Sequence, residues 1–340
     1  MPSPRTMTPR ERFLAAVSGR PADRAAVVCP GGMMSMAVTE VMTAAGAPWP
    51  ESHRNADAMV ALALAMQEAT GFDNVAMPFC MTVEAEAYGA RVDLGDATSQ
   101  PRVRGWVLAA DGKTPLPDPD WSAGRAALLP QAIRRARAAR PNVALIGNLV
   151  GPFSLLGMLA DPLRVLRWTR RQPQDVHRYM DRLADDLVRF GGIQAEAGAD
   201  AVCIAEPTAT GEILGGTLFA AFVAPYLARI AERLRAAGTR VILHVCGDAR
   251  PLEAQLTGLP VEAVSFDSMV NIVAVARKGP PWQVMGNVSA FALEDGPAGA
   301  IAKWTRSLAA GGVRLLSPAC GVVPTTPVAH LRAMREAADG

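Results

Sequence analysis

The sequence predicts an α/β fold: a closed (β/α)8 TIM barrel with an N-terminal helical cap and a small β-hairpin insertion. Three observations carry this expectation. Eight short apolar runs are bounded by turn residues, amphipathic helix-length segments separate them, and polar side chains stand at the ends of the later runs. Repeated strand–helix alternation favours a parallel sheet closed on itself. A doubly wound open sheet is the alternative, but no GxGxxG follows the first run.

The elements follow in order. Thr8-Pro9 before Arg-Glu-Arg-Phe-Leu reads as an N-cap and first helical turn. Residues 1–70 are expected to supply the helical cap and the first strand, Ala25–Cys29, with ADAMVALALAMQEAT as a helix. A second strand is expected at Asn74–Met77. Residues 89–108, GARVDLGDATSQPRVRGWVL, alternate like a hairpin and are read as an insertion. The other strands are expected at Val143–Gly147, Ala201–Ala205, Arg240–His244, Ala263–Phe266, Gln283–Gly286 and Val313–Leu316. Residues 162–198 and 218–238 repeat apolar positions at three- and four-residue steps, and Gly198 and Gly238 stand where helices should end. With no linker and no internal repeat, residues 1–340 read as a single domain.

Composition narrows the function classes. A chain of 340 residues, half of them apolar, buries a large core without staples. A formal charge of +2 and 5% aromatics give no nucleic-acid surface. No run approaches the roughly 18–20 uncharged residues of a spanning helix. The basic N-terminus lacks a signal-type apolar core. A cytoplasmic location with no membrane partner is expected. The five cysteines are widely spaced, so free thiols or metal ligands are expected rather than disulfides.

The strand ends define a candidate site. The fourth expected strand runs into Glu206, the fifth into His244 and Cys246, and the sixth into Asp267. The seventh leads to Asn287 and the eighth to Cys320. In a barrel these ends share one face, where active sites of this architecture sit. In RVILHVCGD the side chains of His244 and Cys246 point the same way, two residues apart in an extended segment. Gly247 lets the chain turn away behind them. A second thiolate from Cys320 would make a Cys2His set with a vacancy, which suits catalytic zinc. H-x-C alone admits the other reading, inert core residues. Cys29 and Cys203 lie inside apolar runs and are read as core. Cys80 is left open between core and pocket, and His53, His177 and His330 are read as solvent-facing.

These residues resemble the uroporphyrinogen decarboxylase superfamily, in its methylcobamide:thiol (coenzyme M-type) methyltransferase branch. TPRERFLAAVSGRPADRAAVV is similar to the family's opening helix and strand, and GNLVGPFSLLGML to its glycine-proline segment. AEPTATGEILGGTLFAAFVAPYL resembles its acidic-Pro-Thr-Ala segment. LHVCGD and SPACGVVPTTP resemble the halves of its H-x-C…C zinc motif, which implies metal ligation by His244, Cys246 and Cys320. The decarboxylase branch carries an arginine-rich loop after its first strand for substrate carboxylates. Here the loop is CPGGMMSMAV, with no arginine.

The resemblance implies a zinc-dependent methyltransferase that moves a methyl group from a methylcobamide, carried by a small corrinoid protein, to a thiol. Met33, Met34 and Met36 are then candidates to line the cofactor ring, or simple packing residues. Asp267 is a candidate resting fourth ligand or an acceptor for the second nitrogen of His244. Glu206 is a candidate to take a thiol proton or orient the acceptor, or a loop cap through Thr208 and Thr210. Asp248 reads as a turn cap, and Asn287 and Ser317 as pocket hydrogen-bonders. Three other readings stay open: transfer involving tetrahydrofolate as acceptor or a methylated substrate as donor, a decarboxylase-like lyase, and a non-catalytic corrinoid- or metal-binding protein. An oligomer also stays open.

Overall fold

Thr8 accepts a hydrogen bond from the Glu11 amide while Glu11 reaches back to the Thr8 amide, a reciprocal cap that starts the helix Pro9–Val17. The computed structural model describes residues 6–339; residues 1–5 and 340 of the expected domain lie outside the described residues. All eight expected barrel strands are present: β1 (Ala26–Val27), β2 (Asn74–Ala76), β5 (Ala144–Val150), β6 (Ala201–Glu206), β7 (Arg240–Val245), β8 (Ala263–Phe266), β9 (Gln283–Val288) and β10 (Leu315–Pro318). The expected insertion is an antiparallel pair, β3 (Arg91–Asp93) with β4 (Arg102–Gly105). Every barrel pairing is parallel, and the sheet order β1-β10-β9-β8-β7-β6-β5-β2 is the chain order, wound once around.

Side chains finish the seam between β1 and β2. Asn74 accepts from the Cys29 amide at 2.8 Å and donates to its carbonyl at 2.7 Å, as a neighbouring strand would. Asp73 accepts from the Val27 amide, and its own amide donates to the Val27 carbonyl, both at 2.8 Å. Arg12 and Arg24 neutralise the buried Asp73 carboxylate. This substitution explains why β1 is shorter than Ala25–Cys29: the groups of Cys29 bond to a side chain rather than a strand.

The barrel interior is narrow and apolar. Ala26, Ala144, Ala201, Cys203, Ile242, Ala263, Met285 and Leu315 fill it, and Phe13, Ala16 and Val17 of the first helix plug its lower end. The N-terminal helices therefore divide their tasks. Pro9–Val17 closes the bottom, while Ala56–Thr70 lies in the β1-to-β2 crossover. Two expected long helices are each broken in two. Pro162–Arg171 gives way to Pro173–Glu196, and Gly215–Phe222 to Ala224–Ala236, because Pro173 and Pro225 have no amide to continue the ladder. No helix among the described residues is long and apolar enough to cross a membrane.

Candidate metal centre

Parity along the strands places the site. Ile242, Ala263, Met285 and Leu315 point into the barrel, so His244, Ser265, Asn287 and Ser317, two residues on, point in as well. All four are buried. They form a polar layer above an apolar one, at the carboxyl ends of the strands.

Three distant donors meet there. His244 Nε2, Cys246 Sγ and Cys320 Sγ all lie within 4.8 Å of one another. His244 Nε2 is 3.2 Å from Cys246 Sγ, which is 3.8 Å from Cys320 Sγ. His244 is fully buried, while both cysteines are half-buried and reachable from the mouth. The chain turns at Gly247 with φ +65°, and a Cβ there would lie 2.8 Å from the Glu212 carboxylate. Only glycine permits both the turn and that approach. Two soft sulfurs and an imidazole are the donor set that zinc prefers, and three protein donors leave one position of a tetrahedron open.

The two thiols share their acidity unequally. The contact with Cys246 holds the Cys320 thiol below the ordinary thiol range against burial, with His244 helping. The same contact, together with burial, pushes Cys246 up. The core cysteines behave as expected: burial raises Cys29 to about 12 and raises Cys203 too. Cys80 is buried away from the cluster, its sulfur accepting from Arg125 Nη1 at 3.3 Å.

The remaining expected site residues lie around this centre. The Asp267 carboxylate stands outside the cluster. It accepts from the Gly247 amide at 3.3 Å and from Ser268 and Met269 on its own loop. The second nitrogen of His244 does not reach it; Nδ1 faces Ser265 Oγ at 3.1 Å. Asn287 commits both amide hydrogens to the carbonyls of Asp267 and Val270, and so ties down the Asp267 loop. Ser317 donates to the Pro318 carbonyl. Asp248 caps its turn through the Arg250 amide. Glu206 is fully buried and accepts from the Phe153 and Ser154 amides and the Ser154 hydroxyl, which caps the helix Pro152–Ala160. Burial raises its carboxyl to about 7. Of the two readings of Met34, its burial favours packing: the side chain has no exposed surface and packs inward, Sδ 3.5 Å from Ser265 Oγ. Met33 stands at the metal centre, Sδ 3.7 Å from Cys246 Sγ.

His53 is corrected. It is buried against Trp49, ring centroids 4.8 Å apart, because the cap helices fold its face inward. His177 and His330 are half-buried and bonded to Tyr226 and the Leu293 carbonyl. Sequence reasoning passed over Ser265 and Glu212. A lone serine inside the apolar run AVSF was the available signal for the first. Glu212 accepts from the Asp248 amide at 2.6 Å across two loops, and nothing local marks it.

A uroporphyrinogen decarboxylase (URO-D) family model matches residues 8–340, and the chain belongs to that family. Within it, the full-length similarity is to the methylcobamide:CoM methyltransferase branch. MtbA of Methanosarcina acetivorans is 31% identical over 97% of both chains, and MtaA of Methanosarcina barkeri is 28% identical over 98% of both. A solved structure of a methyltransferase from Methanosarcina mazei superposes with a TM-score of 0.92 at 28% identity, covering 98% of each chain.

Proposed function

We propose that the protein transfers a methyl group from a methylcobamide to a small thiol, with coenzyme M as the acceptor that its relatives' names indicate. The observation that carries this reading is the convergence of His244, Cys246 and Cys320 at the open end of the barrel. The donor is delivered by a small corrinoid protein, for which the loops after β6 and β8 and the short helix after β9 (Ala290–Asp295) expose Ile213, Met269 and Phe291 as apolar contact points.

His244, Cys246 and Cys320 would hold zinc, which supplies the Lewis acidity that keeps an acceptor thiol deprotonated near neutral pH. The protein's own groups do the rest. Ser265 holds the His244 ring so that Nε2 faces the sulfurs. Asp267 and Glu212 fix the two amides after Cys246, and Asn287 holds the Asp267 loop in turn. Glu206 acts at a distance by anchoring the helix beside the mouth. Methyl transfer forms an S–C bond at the acceptor and breaks the Co–C bond of the donor. The bonding pair stays with cobalt, and the thiol proton leaves to solvent.

The test is metal analysis alongside demethylation of methylcobalamin with coenzyme M, other thiols and tetrahydrofolate. Wild type is expected to carry about one zinc and to demethylate with a thiol. Cys246→Ala and Cys320→Ala, each checked for a native circular dichroism spectrum, should lose metal and turnover together. Full turnover in either variant sinks the reading. Turnover with tetrahydrofolate alone reassigns the acceptor.

A further inference from the structure

We propose that a cleft on the barrel floor is a second ligand site, which binds a phosphorylated small molecule between Arg20 and Arg314. It lies at the opposite end of the strands from the metal centre and is independent of the reading of that centre.

Position comes first. β10 lies between β1 and β9 in the sheet, so the three strands start side by side at the amino end of the barrel. Arg24 and Ala25 precede β1, Arg314 precedes β10, and Gln283 opens β9. Around these starts the surface sinks into two adjoining lobes. One, of about 360 Å³, is lined by Arg20, Arg24 and Arg314 with small residues such as Ala22 and Gly312. The other, of about 290 Å³, shares Gly312 and Arg314 with it and runs on to Pro280, Trp282 and Gln283. A Cβ on Gly312 or on Gly279, which also lines the second lobe, would meet nothing within 4 Å. The joined space is of the size that small-molecule sites occupy.

The charge in it is unbalanced. No carboxylate lines either lobe among the described residues. Arg24 is neutralised, since Asp73 and Asp339 both pair with it. Arg314 spends one N–H on the Gly19 carbonyl at 2.7 Å, a neutral acceptor on the residue next to Arg20. Arg20 makes no side-chain hydrogen bond or ion pair with a described residue. Other exposed arginines, Arg135, Arg233 and Arg235 among them, each face a carboxylate. Two guanidiniums held to one lobe without a counter-charge repel each other, and an anion between them turns that repulsion into attraction.

The donor geometry selects the anion. A guanidinium stays charged and offers paired N–H groups that match phosphate oxygens. The bond to Gly19 fixes Arg314 beforehand, which lowers the ordering cost of binding. Gly19 takes φ +68°, and a Cβ there would lie 2.8 Å from Gln283 Nε2, so glycine lets this amide stand close by as a neutral donor. Beyond it, Pro280, Trp282 and Val284 give the second lobe an apolar wall. The phosphate therefore sits in the first lobe and the apolar or planar remainder of the molecule in the second. No bond is made or broken.

Isothermal titration of the full-length protein with inorganic phosphate, pyrophosphate and ADP tests this. ADP should bind most tightly and phosphate most weakly, with affinities that fall as salt is added. Arg20→Ala and Arg314→Ala should each weaken ADP by about tenfold. Ala22→Glu keeps both arginines, places a carboxylate in the lobe and should abolish binding. Cys320→Ala and saturating coenzyme M should leave the affinity for ADP unchanged. Failure of all three anions to bind overturns the proposal, as does equal ADP affinity in wild type and both arginine variants. Competition by coenzyme M also overturns it, because the anion would then lie at the metal centre. None of these outcomes depends on whether the protein transfers methyl groups.

Discussion

His244 and Ser265 are register partners across β7 and β8, and Ser265 Oγ lies 3.1 Å from His244 Nδ1 inside a layer with no exposed surface. A ligand imidazole needs its second nitrogen engaged, or the ring can rotate and the tautomer is not fixed. Ser265→Ala should therefore keep the fold and weaken zinc by about tenfold or more, read by competition with a chromogenic chelator. Ser265→Thr, which keeps a hydroxyl, should recover part of that loss. Equal affinity in wild type and Ser265→Ala would show that the ring needs no such support.

The barrel seam offers a second test. Asn74→Ala removes both bonds to the Cys29 backbone and leaves two buried groups without partners. Each such group costs about 1–3 kcal/mol, so a loss of about 2–6 kcal/mol is expected in denaturant unfolding. A change below 1 kcal/mol would mean that water or a shifted strand takes over the seam.

Glu206 should leave a signature in the pH dependence of stability. Burial raises its carboxyl from 4.5 to about 7 in the folded chain, so the folded state binds the proton more tightly. Its contribution is complete below pH 4.5 and is lost as pH rises through about 7. Glu206→Gln cannot ionise. Whatever its absolute Tm, its decline between pH 5 and pH 8 should be shallower than that of wild type. Parallel Tm profiles would count against the buried acid.

His53 tilts the profile the other way. Burial, with Arg125 adding to it, lowers its pKa from 6.5 to about 3, so stability is complete above pH 6.5 and is lost as pH falls towards 3. Neither ring nitrogen has a partner among the described residues. His53→Phe keeps the aromatic contact with Trp49 and removes both the titration and the unpaired groups. It should raise Tm, and by more at pH 5 than at pH 8. A lower Tm at pH 5 would mean that the ring nitrogens are solvated after all.

The pattern of the chain was enough for the architecture and for the centre of the site. Apolar runs with period two and helices with period three to four are local properties, readable without coordinates. The parity that puts His244 and Cys246 on one side of a strand is equally local. Closure of an eight-stranded barrel then brings Cys320 to the same rim. Proline breaks in the long helices were also legible, and went unread at Gln172-Pro173 and Ala224-Pro225.

The rest depended on which distant surfaces touch. The pairing of Ser265 with His244 follows from strand register, which sheet packing sets rather than either strand alone. The inward turn of Met34, the burial of His53 and the commitment of Glu206 to a helix end follow from how loops and cap helices fold onto the barrel. Met33 reaches Cys246 only because the loop after β1 is fastened to the loop after β10. Sequence by itself determined the periodicities, the barrel they build and the donors at its rim. Tertiary structure alone decided their neighbours, because contacts between remote segments are chosen by closure and packing of the whole chain.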